Sequence, residues 1–126
     1  MSYMFSVDSK RFEEMVLAAI EEVPEKFKDK FENLGIIINE TDMTRKLAKT
    51  EKNPSRITLG LYEGSPLPLR PGSIKHFPDK ITIFKRSIES ICSDEKMLKK
   101  TVRRVVLHEI GHYFGLSEKK LRDIGY

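Results

Sequence analysis

The sequence predicts a small α+β domain, and three observations predict it. Apolar residues stepping by three and four open the chain, β-branched and alternating runs occupy its middle, and a second long amphipathic stretch closes it. A length of 126 residues bounds this to one domain, residues 1–126, and a hydrophobic fraction of 39% supplies a modest core.

Asp8 or Ser9 caps the first helix, whose apolar positions are Phe12, Met15, Val16, Ala19, Ile20 and Val23. Pro24 interrupts that helix or opens a new turn, and Phe27 with Phe31 continues the apolar face as far as Asn33 before Gly35 marks the exit. Ile36-Ile37-Ile38 reads as a buried strand. Residues 40–55 are polar, charged and closed by Asn53-Pro54, the composition of a loop. A second strand is predicted over residues 57–62 and a third, with nearly strict alternation, over residues 80–85. Between them residues 63–79 carry four prolines and two glycines, so regular structure is disfavoured there, and loops of that length inside compact domains tend to be functional. Ser93 or Asp94 caps the last long helix, which runs from about residue 95 to 114 until Gly115 ends it in a left-handed conformation.

That helix carries the chemistry. Val102, Val106, Ile110 and Phe114 form one apolar side, while His108 and His112 project from another. Residues i and i+4 are helix-surface neighbours about 6 Å apart, so both rings reach a single ion. Zinc takes neutral imidazole nitrogen at about 2.0–2.1 Å, and a catalytic site keeps one position open for water. In H-E-x-x-H the residue after the first histidine, here Glu109, is the general base that works on the metal-bound water. Gly111 lacks a Cβ and is expected to leave room near the ion for neighbouring backbone.

Gly115 permits the sharp reversal needed if a third ligand only a few residues later is to reach the same metal. Glu118 is the candidate, because it stands ten residues past His108, the offset of the third ligand in H-E-x-x-H-x-x-G-x-x-H sites. A carboxylate oxygen can replace imidazole at about 2.0–2.2 Å. A competing reading makes Glu118 the first-turn acid of a helix capped by Ser117, and Asp123 is the reserve ligand.

Composition excludes several classes of partner. The charged fraction is 33% and the net charge +4, but lysines and arginines are interleaved with acids, which describes a solvated surface and not a nucleic-acid footprint. The first fifteen residues lack a basic stretch followed by an apolar one, and no run approaches the ~18 apolar residues of a membrane span. A cytoplasmic protein with no membrane partner is expected. Cys92, the only cysteine, cannot form an internal disulfide and is expected to be a small buried or half-buried side chain.

With these residues in view, the chain resembles the compact bacterial zincin-like metallopeptidase family. The segments that carry the resemblance are residues 12–40, LGLYEGSPLPLR at 59–70, FPDKITIFKRSIE at 77–89, and VRRVVLHEIGHYFGLSEKKLRDIGY at 102–126. The resemblance implies a minimal zincin fold, with a small mixed β-sheet, a backing helix, an active-site helix and a short C-terminal helix. It also implies His108 and His112 as zinc ligands, Glu109 as the catalytic glutamate and an acid at Glu118 as the third ligand. Metzincins differ in using a third histidine and a later methionine turn, and here no methionine follows Met97.

The expected activity is zinc-dependent hydrolysis of peptide bonds in a peptide or protein substrate, with the substrate held as an added strand along the sheet edge at residues 59–62. Tyr62, Arg70 and His76 are candidate oxyanion donors, each with a blander reading as a packing or surface residue. The alternative function is a catalytically weak or inactive zinc-binding module that recognises a partner without cutting it.

Overall fold

The computed structural model describes residues 5–31, 34–41, 57–64 and 79–126. Of the loops read over residues 40–55 and 63–79, residues 42–55 and 65–78, Arg70 and His76 among them, lie outside the described residues.

Helix α1 (Ser9–Glu21) begins at a sequence-encoded cap: the Asp8 carboxylate accepts the Arg11 N–H at 2.7 Å. It buries Phe12, Met15, Val16 and Ala19. Pro24 opens a new turn instead of kinking one helix, serving as N-cap of α2 (Glu25–Lys28), which passes into a 3-10 turn over Asp29–Phe31.

Three strands form a mixed sheet in the order β1-β3-β2. The central strand β3 (Asp79–Phe84) pairs parallel with β1 (Leu34–Asn39) and antiparallel with β2 (Gly60–Glu63). Ile81 and Ile83 of β3 are fully buried. The isoleucine run of β1 was expected to be buried, yet Ile37 is 47% exposed. Side chains alternate across a strand, so Leu34, Ile36 and Ile38 of β1 pack on the core while Ile37 points to the other face.

A helix that the sequence reading missed follows directly: α3 (Lys85–Ser90), whose first residue was expected to end the strand. Lys85 and Glu89 stand one turn apart and are almost completely buried, with Nζ 3.0 Å from Oε2. Glu89 also accepts the Val7 N–H at 2.9 Å and the Ser6 hydroxyl at 3.0 Å. These partners come from the other end of the chain, so no local pattern announces the helix.

Helix α4 (Glu95–Tyr113) is capped by Asp94, which accepts the Met97 N–H at 2.7 Å. Leu98, Val102, Val106 and Ile110 meet α1 and the inner sheet face in one core cluster. Each such side chain contributes about 1.5–3 kcal/mol on burial. Cys92 is buried beside Thr101, as a small apolar residue would be. Helix α5 (Glu118–Asp123) anchors through fully buried Leu121. No helix among the described residues is long and apolar enough to cross a membrane.

Candidate metal centre

Helix α4 ends in a Schellman turn. Gly115 adopts φ +88°, its N–H donates to the His112 carbonyl at 2.9 Å, and the Leu116 N–H donates to the Gly111 carbonyl at 2.9 Å. The turn satisfies the last carbonyls and reverses the chain, so Ser117 caps α5 immediately, accepting the Lys120 N–H at 3.1 Å. Glu118 is therefore the first residue of α5, and the two readings of it coincide. It is a helix-start acid, and its side chain turns back onto the histidines.

The reversal brings three donor atoms together. Glu118 Oε1 lies 3.1 Å from His108 Nε2 and 2.7 Å from His112 Nε2, and the two Nε2 atoms are 3.2 Å apart. Ligands about 2.0–2.2 Å from a tetrahedral ion sit roughly 3.3–3.6 Å from one another, so a small outward shift of these donors would admit zinc, and two imidazoles with one carboxylate are a donor set that suits it. The His112 Nδ1–H donates to the Leu116 carbonyl at 3.0 Å, which leaves the Nε2 lone pair facing the triangle. In the metal-free chain burial alone raises the Glu118 pKa, but interaction with the His108 and His112 rings in their protonated form outweighs it and holds the carboxyl below the ordinary glutamate range. Asp123, the reserve candidate, caps neither ring; the histidines meet Glu118.

Glu109 also stands close: His108, Glu109 and His112 offer ligand atoms within 4.8 Å of one another and could hold a metal ion. Two acids thus compete for the role of third ligand, and their surroundings separate them. Glu118 Oε1 is in direct contact with both Nε2 atoms, whereas Glu109 is buried and its carboxylate accepts the Tyr62 backbone N–H. Desolvation raises the Glu109 pKa, the two histidine charges and the Tyr62 N–H oppose the rise, and Glu118 adds to it.

Strand β2 forms the facing wall. The Phe84 N–H donates to the Leu59 carbonyl, and alternation along the antiparallel ladder then points the backbone groups of Gly60 and Tyr62 away from β3. That parity explains why Glu109 finds the Tyr62 N–H. Gly60 permits the approach: a Cβ there would lie 2.8 Å from Val105 Cγ1 and 3.1 Å from Glu109 Cγ. One groove of about 600 Å³ runs past His108, Glu109 and Glu118 along residues 57–60, and a second of about 380 Å³ continues past His112 and Tyr62.

A model of the zincin-like metallopeptidase family matches residues 31–126. The chain belongs to the zincin-like metallopeptidase family. The match spans all three strands, the paired histidines and Glu118, whereas α1 lies before it and still supplies Phe12, Met15, Val16 and Ala19 to the core. None of the curated proteins matches the chain. Membership implies a metal, typically zinc, and peptide or protein substrates for this zincin-like metallopeptidase.

Two expectations about individual residues need correction. Gly111 does not leave room for backbone beside the ion: a Cβ there would lie 2.3 Å from Leu121 Cδ2, so the missing side chain is the seat of α5. Tyr62 was a candidate oxyanion donor, but its hydroxyl donates to buried Asp79 at 3.1 Å and its ring packs on Tyr113 at 6.0 Å. Sequence reasoning also passed over Gly60 and the Leu116 carbonyl. A glycine inside a strand pattern was the available signal for the first, and the Schellman spacing after His112 for the second.

Proposed function

We propose that this chain is a zinc-dependent peptidase in which His108, His112 and Glu118 hold the ion and Glu109 is the general base. The observation that carries the reading is the meeting of His108 Nε2, His112 Nε2 and Glu118 Oε1 beside a buried carboxylate that is not part of that triangle.

Zinc held there supplies Lewis acidity, making water more acidic, toward a pKa of about 7, and polarising the scissile carbonyl. Glu109 takes a proton from the attacking water and passes it to the departing amine. Glu109 is buried at the edge of the groove beside the histidine pair, which places its carboxylate to take that proton and hand it on to the amine. The Tyr62 N–H orients the carboxylate, and close packing under Gly60 excludes bulk water from its inner side. A peptide laid along β2 as an added strand would pass Gly60 and Tyr62, with its scissile bond over Glu109.

Metal analysis coupled to cleavage of an unfolded protein tests the reading. One zinc per chain is expected, with cleavage reduced by about 10²–10⁴ in Glu109→Gln while zinc stays bound. Zinc binding without turnover of any peptide by the unaltered chain overturns it.

A further inference from the structure

The groove beside the candidate centre carries two arginines that the proposed chemistry does not use. Arg104 and Arg122 both line it, together with His108, Glu109 and Glu118. Each stands one helical turn from a candidate ligand and on the same face. Arg104 precedes His108 by four residues on α4, and Arg122 follows Glu118 by four on α5. The fold thus places two arginines along the groove where substrate would lie.

Their pairing is as telling as their placement. Among the described residues, the other arginines are engaged: Arg11 with Glu14 and Glu95, Arg86 with the Glu40 carbonyl, and Arg103 with both carboxylate oxygens of Glu22 at 2.8 Å. Arg104 and Arg122 make no ion pair with a carboxylate among the described residues. Arg103 and Arg104 are adjacent on α4 and have opposite fates, the first clasped on the outer face and the second held open beside the groove. Arg122 lacks even its natural helix partner, since Glu118 is turned to the histidines.

Charge balance gives the pair a purpose. The two arginines offset Glu109 and Glu118, so a divalent cation with neutral histidines leaves the groove two positive charges in excess. A guanidinium matches a carboxylate with two parallel hydrogen bonds. We propose that Arg104 and Arg122 select peptides bearing a carboxylate on the side of the scissile bond that lies in this groove. The carboxylate is either an acidic side chain or the peptide's own free C-terminus. The inference rests on the peptidase reading above and names its substrate class.

The test is equilibrium binding of fluorescent extended peptides to zinc-loaded Glu109→Gln protein, followed by anisotropy at about 50 mM and 500 mM salt. Acidic, neutral and lysine-bearing versions of one sequence are compared, each with a free and an amidated C-terminus, so that the two carboxylate sources are told apart. Carboxylate-bearing peptides should bind about 10-fold more tightly than neutral ones at low salt. The gap should close with Arg104→Ala plus Arg122→Ala, and Arg104→Glu should move the preference to lysine-bearing peptides, a reversal that loss of structure does not produce. Equal binding of acidic and neutral peptides, absence of binding, or a preference that survives the double substitution overturns the proposal. The unaltered enzyme separates the two readings. Rapid cleavage of neutral and acidic peptides alike would sink the selectivity and spare the peptidase, whereas charge-selective binding without any cleavage would do the reverse.

Discussion

His112 Nδ1 lies 3.0 Å from the carbonyl oxygen of Leu116, four residues further along the chain. The contact exists because Gly115 turns at φ +88° and folds Leu116 back under the ring. The hydrogen bond fixes which nitrogen carries the proton, and hence which is left for a metal. The same turn delivers Glu118, so one glycine conformation sets both the orientation of a histidine and the position of the acid opposite it.

Replacing Gly115 with alanine should therefore cost more than a helix end. A side chain at this positive φ costs about 1–2 kcal/mol. Displacing the Leu116 carbonyl should also weaken zinc binding by roughly 10–100-fold, as loss of an outer hydrogen-bond partner does. Chelator competition and thermal melts on Gly115→Ala measure the two effects separately; unchanged zinc affinity would show that the turn is only a helix stop.

The third-ligand assignment is settled by comparing two acids. Glu118→Ala should lower zinc affinity by about 100-fold or more, beyond what an outer-shell loss gives, whereas Asp123→Ala at the far end of α5 should leave it within about twofold. Isothermal titration of both variants checks this. The opposite ranking would move the site to Asp123.

Gly60→Ala should damage the base without removing the metal. The added Cβ meets the stiff side chain of Val105 at 2.8 Å and Glu109 Cγ at 3.1 Å, so β2 or Glu109 must move. Overpacking of this kind costs about 1–3 kcal/mol. Peptide turnover should fall by at least about 10-fold while zinc content stays at one per chain. Turnover equal to the unaltered chain would show that the close approach is incidental.

Glu109→Gln should stabilise the metal-free protein at neutral pH even as it removes activity. Burial raises the Glu109 pKa in the folded state, so its ionised form opposes folding. That penalty grows as pH rises from the ordinary glutamate value, about 4.3, up through the raised one. The variant should thus melt higher than the unaltered chain at pH 7, with the difference vanishing near pH 4. Apo-protein melts across that range measure it, and a lower melting temperature for the variant at pH 7 would contradict it.

The sequence by itself determined the parts whose partners are close along the chain. The Asp8 and Asp94 caps, the apolar stripes of α1 and α4, the turn at Gly115 and the histidine pair all follow from contacts within one or two helical turns, where spacing dictates geometry. It also supplied the offset of Glu118, because a fixed helix and one defined turn leave that residue little freedom.

Only the tertiary structure decided the remainder. Helix α3 exists because Glu89, buried with Lys85, takes hydrogen bonds from Ser6 and Val7. Ile37 is exposed because it stands on the face of β1 opposite Ile36 and Ile38, which the core helices cover. Gly111 makes way for Leu121, and Gly60 for Val105 and Glu109. Tyr62 gives its hydroxyl to Asp79 and its backbone N–H to Glu109. In each case the deciding partner is separated in sequence, and its position is fixed by how helices and sheet close on a common core. Local periodicity carries no record of that closure.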